Sequence, residues 1–77
     1  MTDHPAPASN EITVFVNGTE KRLSAGFTAH DLLIAVGLAG RPVAVEVNEV
    51  VVPRADLGEQ ILKDQDRLEI VTLVGGG

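Results

Sequence analysis

The sequence predicts an α+β fold of two layers, with one main helix packed on one face of a mixed sheet of four to five strands. Three observations predict it. Only one segment, residues 26–37, repeats its apolar residues at helical spacing. The runs at 12–16, 43–52 and 68–74 are rich in Val and Ile and are bounded by turn residues, as strands are. The order reads strand, strand, helix, strand, short strand, strand, so a single helix has to cover a sheet that has two faces.

The first two strands are expected in "EITVFVNGTEKRLS", residues 11–24. Residues 12–16 all favour β-structure, and Asn17-Gly18 suits a type I′ hairpin because both residues tolerate φ > 0. The second strand is expected over 20–24. Alternation sets Ile12, Val14 and Val16 on the core face, with Thr13 and Phe15 on the other.

The helix "GFTAHDLLIAVG" is marked at both ends. Thr28 is a good N-cap, and Asp31 three residues later completes a capping box at the positive end of the macrodipole. Phe27 and Leu32 hold the positions of a hydrophobic staple. Ala29, Leu32, Leu33 and Val36 form one apolar stripe, and Gly37 is placed for a left-handed cap.

Arg41-Pro42 closes a loop into "VAVEV", where Val43, Val45 and Val47 share a face. Asn48-Glu49 then turns into Val50–Val52, which Pro53 ends because proline cannot donate to a ladder. A turn or short 3₁₀ segment is expected around 55–58. After a polar turn at 63–66, which reads as solvated, the last strand sets Leu68 and Ile70 on one face and Glu69, Val71 and Leu73 on the other. If the first and last strands pair in parallel at the centre, Phe15, Val71 and Leu73 cluster on the uncovered face.

At 77 residues the chain is one domain at most. Residues 1–10, with two prolines and no large apolar side chain after Met1, read as a disordered tail; 11–74 read as the domain, and 75–77 as a flexible glycine tail. The net charge of −5 argues against a nucleic-acid partner and leaves room for a basic protein partner. The absence of cysteine excludes disulfides and thiolate metal sites, and the cytoplasm is the expected compartment. No apolar stretch approaches the roughly 18 residues of a membrane span.

No residue set carries catalysis. His4 falls in the tail and His30 in the first helical turn, so a shared metal site is not expected. Asp64 and Asp66 resemble the start of a calcium loop but lack its glycine and its distant glutamate. Ser9 and Ser24 have no base beside them. The terminal "GGG" follows the last strand with no polar spacer and opens no helix, so it is not a phosphate loop. A side-chain-free thread ending in a carboxylate suits a narrow channel in a partner enzyme, where that carboxylate can be activated as an acyl-phosphate.

The element order, the "FVNG" hairpin, the "FTAHDLL" helix start, the segment "VNEVVVPR" at 47–54, the Asp-x-Asp turn and the terminal "VGGG" together resemble the ThiS family of sulfur carriers in thiamine synthesis. The resemblance covers residues 12–77 and implies a β-grasp, ubiquitin-like fold. It implies that the chain is no enzyme itself. An adenylyltransferase of the ubiquitin-activating, E1-like class (ThiF type) would spend ATP to adenylate Gly77. Sulfur drawn indirectly from a donor such as a cysteine desulfurase would then make a thiocarboxylate, and thiazole synthase (ThiG type) would take that sulfur into the thiazole ring. Carried over by position, Gly77 bears the sulfur, Gly76 and Gly75 extend the thread, and Phe15, Val71 and Leu73 are the docking residues. No cofactor, metal, nucleic acid or membrane is implied, and the free carrier is expected to be a monomer.

Two positions depart from the family pattern. Gln65 stands where the family usually has glycine, so either it bears φ > 0 at a cost of roughly 1 kcal/mol or the turn is of another type. Leu57 stands where tryptophan is frequent. The related molybdopterin carriers have prolines just before their diglycine, and Thr72-Leu73-Val74 has none, which favours the thiamine pathway. The competing readings are a carrier for molybdopterin or another thio-metabolite, and a β-grasp binding module without covalent chemistry.

Overall fold

The computed structural model describes residues 10–73. The tails expected at 1–10 and 75–77 lie outside the described residues, apart from Asn10. Five strands, β1 (Glu11–Val16), β2 (Thr19–Ser24), β3 (Val43–Val47), β4 (Val50–Val52) and β5 (Arg67–Thr72), form one mixed sheet in the order β2-β1-β5-β3-β4. The first and last strands pair in parallel at its centre, and every other neighbour pair is antiparallel.

The helix α1 spans Ala29–Ala35, inside the predicted 26–37. Its start is closed reciprocally: Asp31 N–H donates to Thr28 Oγ1 at 3.1 Å, and Thr28 N–H donates to Asp31 Oδ2 at 3.0 Å. Ala29 N–H, which has no partner inside the helix, donates to the Gln60 carbonyl at 2.8 Å. At the far end Gly37 takes φ +79, and the Gly37 and Leu38 N–H groups donate to Ile34 and Leu33, the paired bonds of a Schellman cap. Phe27, half-buried, is tied by its carbonyl to the Leu62 N–H at 2.9 Å.

The predicted faces are the observed ones. Val14, Val16, Val45, Val47, Leu68 and Ile70 are buried beneath Ala29, Leu32 and Leu33, with Ile12, Val36 and Val43 packed at the margin. A 3₁₀ turn over Arg54–Glu59, a residue longer at each end than expected, sinks Leu57 into this core. Burying side chains of this size is worth about 1.5–3 kcal/mol each, so the layer under α1 supplies most of the cohesion. β4 departs from its uniform Val-Val-Val composition: only Val52 is buried, and Val50 and Val51 are exposed at the sheet's edge.

The polar turn before β5 requires a correction. It is not simply solvated, because Asp66 is only 8% exposed. Its carboxylate accepts from Asn48 Nδ2 at 2.9 Å and from the Lys63 N–H at 2.8 Å, which compensates its burial. Asp64 Oδ1 accepts from the Thr13 N–H at 2.8 Å, fastening the turn to β1. Gln65 takes φ +72, so the costlier of the two expected turn geometries is the one adopted.

Candidate functional site

β5 is the element that leads to the C-terminal residues, and two asparagines hold it from either side. Asn17 continues the parallel ladder past the end of β1: its N–H donates to the Leu68 carbonyl, Oδ1 accepts from the Ile70 N–H at 2.8 Å, and Nδ2 donates to the Ile70 carbonyl at 3.1 Å. Its side chain therefore takes the place of one more strand residue. Asn48 does the corresponding work from the β3 side. Its N–H donates to the Arg67 carbonyl, Oδ1 accepts from the Arg67 N–H at 2.9 Å, and Nδ2 reaches Asp66.

Beyond Ile70 this changes. Among the described residues, β3 is the only strand paired with Val71 and Thr72, and Leu73 is held by one bond, from its N–H to the Pro42 carbonyl at 2.8 Å. The strand is thus gripped at its start and bordered on one side at its exit. Val74 and the glycines Gly75, Gly76 and Gly77 lie outside the described residues.

The face opposite α1 carries the predicted docking residues, but they do not form one cluster. Val71 and Leu73 are 53% and 51% exposed at the exit of β5, with Val71 opposite the half-buried Ala44 of β3. Phe15, half-buried, stands between Glu20 of β2 and Arg67 of β5. Phe15 is level with Arg67, and Glu69 lies between that level and Val71, a separation of about 13 Å along the strand. Alternation alone put the three residues on one face; the parallel register, which the sequence does not encode locally, separates them.

The same register brings together residues that sequence reasoning passed over. Glu69 of β5 stands directly opposite Glu46 of β3, which stands opposite the exposed Val51 of β4. Between the two hairpin turns an open pocket of about 240 Å³ is lined by Phe15, Gly18, Asn48, Glu49, Arg67 and Glu69. The available sign was the lone glutamate in "VAVEV", a charge in an otherwise apolar strand.

No catalytic constellation is assembled among the described residues. His30 is exposed on α1 and Ser24 ends β2 without a base at hand; His4 and Ser9 lie outside. No three His, Cys, Asp or Glu side chains gather there as metal ligands do. No helix there is long and apolar enough to cross a membrane.

A family model described as the ThiS family matches residues 7–77, nearly the whole chain and through the terminal glycines. The chain belongs to the ThiS family. A solved structure of the ThiS protein of Geobacter metallireducens superposes with a TM-score of 0.73 at 29% identity, covering 86% of this chain and all of that one. The five-stranded mixed sheet with one helix is accordingly the β-grasp fold of ThiS. A ycf40 protein of Pyropia yezoensis, uncharacterized, is 34% identical over 68 residues, 88% of this chain and 96% of that protein. A thiazole synthase of Paramagnetospirillum magneticum is 42% identical over 62 residues, and one of Magnetococcus marinus 39% over 64. This ThiS-family chain spans only about a fifth of the length of those two synthases, 19% and 20%.

Proposed function

We propose that this chain is the sulfur carrier of thiazole formation in thiamine synthesis. The observation that carries the reading is the pair of relatives named thiazole synthase in which a ThiS-like segment makes up about a fifth of the protein. Fusing a carrier to its acceptor raises their effective concentration, and a fusion of this kind is useful where the two parts act on one another. When the parts are separate chains, the contact that the fusion guaranteed has to come from a docking surface.

The residues are suited to the task. Gly77 carries the reactive carboxylate and Gly76 and Gly75 the thread, since a backbone without Cβ passes through a channel that side chains would block. An adenylyltransferase of the ubiquitin-activating class joins the carboxylate oxygen to the α-phosphorus of ATP and releases pyrophosphate. Sulfur at the level of hydrosulfide then attacks the acyl carbon, AMP leaves with the carboxylate oxygen, and a thiocarboxylate results. The carrier is a co-substrate in both steps. Its own contribution is a firm β5 with a free exit: the asparagine clamps keep the sheet intact while residues past Leu73 are held by another protein.

Val71 and Leu73, next to that exit, are the docking residues nearest the chemistry. Intact-mass measurement after incubation with a cognate activating enzyme, ATP and a sulfur source tests the proposal. A gain equal to the replacement of one oxygen by sulfur is expected, and it should be absent from a chain lacking Gly76 and Gly77 whose fold is unchanged. An unmodified wild-type chain, with an enzyme shown to be active, would refute the carrier reading.

A further inference from the structure

The face opposite α1 has a second feature, at some distance from the exit of β5. The residues that line the pocket between the hairpin turns include two glutamates, Glu49 and Glu69, one arginine, Arg67, and the half-buried Phe15. Glu20 stands opposite Phe15, and Glu46 stands opposite Glu69. No ion pair among the described residues joins Arg67 to either carboxylate; the pair formed on this face is Glu11 of β1 with Arg22 of β2.

Three of these glutamates disfavour the isolated fold. Like charges directly opposite one another on adjacent strands repel, and Glu46 and Glu69 are such a pair at the middle of the sheet. Glu49 holds φ +71, a conformation that glycine adopts freely and a side chain does not. Both choices add negative charge around one pocket, on a sheet face that no helix or strand among the described residues covers. The net charge of −5 has the same sign.

We propose that this pocket is a second docking anchor, which receives an arginine side chain from the protein that binds the open face. This rests on the carrier reading, in which the chain must dock on an activating enzyme and on a synthase. The chemistry favours arginine. Its planar guanidinium lies against the Phe15 ring, where the cation meets the negative face of the π-system, and its fork of N–H groups points to the Glu49 and Glu69 carboxylates. The incoming charge also relieves the repulsion between Glu46 and Glu69. The anchor lies about 13 Å along β5 from Val71, so a partner that holds both points fixes the carrier's orientation as well as its position. Contact at Val71 and Leu73 alone would leave the sheet free to swivel about its exit.

The test measures the affinity of the full-length carrier for the activating enzyme and for thiazole synthase from the same organism, at low and high ionic strength. It compares wild type, the double variant Glu46→Gln with Glu69→Gln, and Glu49→Gly. At low salt the double variant is expected to bind at least one enzyme about tenfold more weakly, and to lose most of the salt dependence that wild type shows. Glu49→Gly is expected to bind severalfold more weakly while unfolding at a higher temperature, a combination that a folding defect cannot produce. Unchanged affinity of both variants for both enzymes would overturn the anchor, and continued sulfur loading at saturating enzyme would show that the carrier reading survives it. A wild-type chain that neither enzyme binds or modifies would overturn the carrier reading and the anchor together.

Discussion

Asn17-Gly18 and Asn48-Glu49 flank the central strand from its two sides, and each turn begins with an asparagine at positive φ, +51 and +52. Both asparagines send a backbone N–H and a side-chain amide into β5 or the turn before it, at Leu68 and Ile70 in one case and at Arg67 and Asp66 in the other. The second residues differ. Gly18 takes φ +85 without strain, while Glu49 takes φ +71 against the preference of any side chain. A sheet selected for stability alone would have glycine in both turns. The first turn therefore shows what the fold asks of this position, and the second departs from it, as the proposed anchor requires.

The comparison is broken most severely by removing what the turns share. Asn17→Ala leaves the N–H and C=O of Ile70 without their side-chain partner, and Asn48→Ala does the same to Arg67 and to the buried Asp66. Each is expected to cost about 2–3 kcal/mol, read as a fall in denaturant midpoint, with faster amide exchange at Ile70 in the first variant and at Arg67 in the second. For a domain of this size that is a loss of about 10–20 °C in Tm. A loss below about 0.5 kcal/mol in both variants would show that water replaces the amides and that the clamps are incidental.

A smaller effect tests the second residue of the first turn. No atom lies within 4 Å of a Cβ built on Gly18, so Gly18→Ala has room and meets only the φ penalty. A destabilisation of about 1 kcal/mol by denaturant unfolding is expected. A neutral result would mean that φ in these turns is cheap, and would remove the argument that Glu49 is held at a cost.

Much of this was legible beforehand, for identifiable reasons. The helix was written into its caps: Thr28, Asp31 and Gly37 act within a few residues of where they stand, and local chemistry is what sequence shows best. Alternation likewise gave the buried faces of β1, β3 and β5. Three things escaped. Asp66 reads as a polar turn residue until Asn48, 18 positions away, is brought against it. Phe15, Val71 and Leu73 share a face by parity, but their distance depends on a register set by the Asn17 contact across 53 residues. The Glu46–Glu69 opposition depends on the pairing of β3 with β5 in the same way. The family match runs through the terminal glycines to residue 77, and these lie outside the described residues.

The smallest expected change is the one that separates structure from function most finely. Gln65 and Glu49 are both side-chain residues at φ near +70, in turns on either side of the β5 start. Gln65 serves the fold: its N–H donates to the Thr13 carbonyl, and its side chain reaches only its neighbour Asp64, at 3.4 Å. Gln65→Gly and Glu49→Gly should each stabilise by about 0.5–1 kcal/mol, since glycine accepts this φ and neither side chain is buried, the gain being trimmed by glycine's greater freedom when unfolded. The stability data should therefore not distinguish them. Affinity for the docking enzymes should: Gln65→Gly is expected to bind as wild type does, and Glu49→Gly to bind severalfold less. Equal affinities would return Glu49 to the status of Gln65, a strained residue with no task beyond its turn. Unequal ones would mark the second hairpin as the place where the carrier gives up stability for recognition.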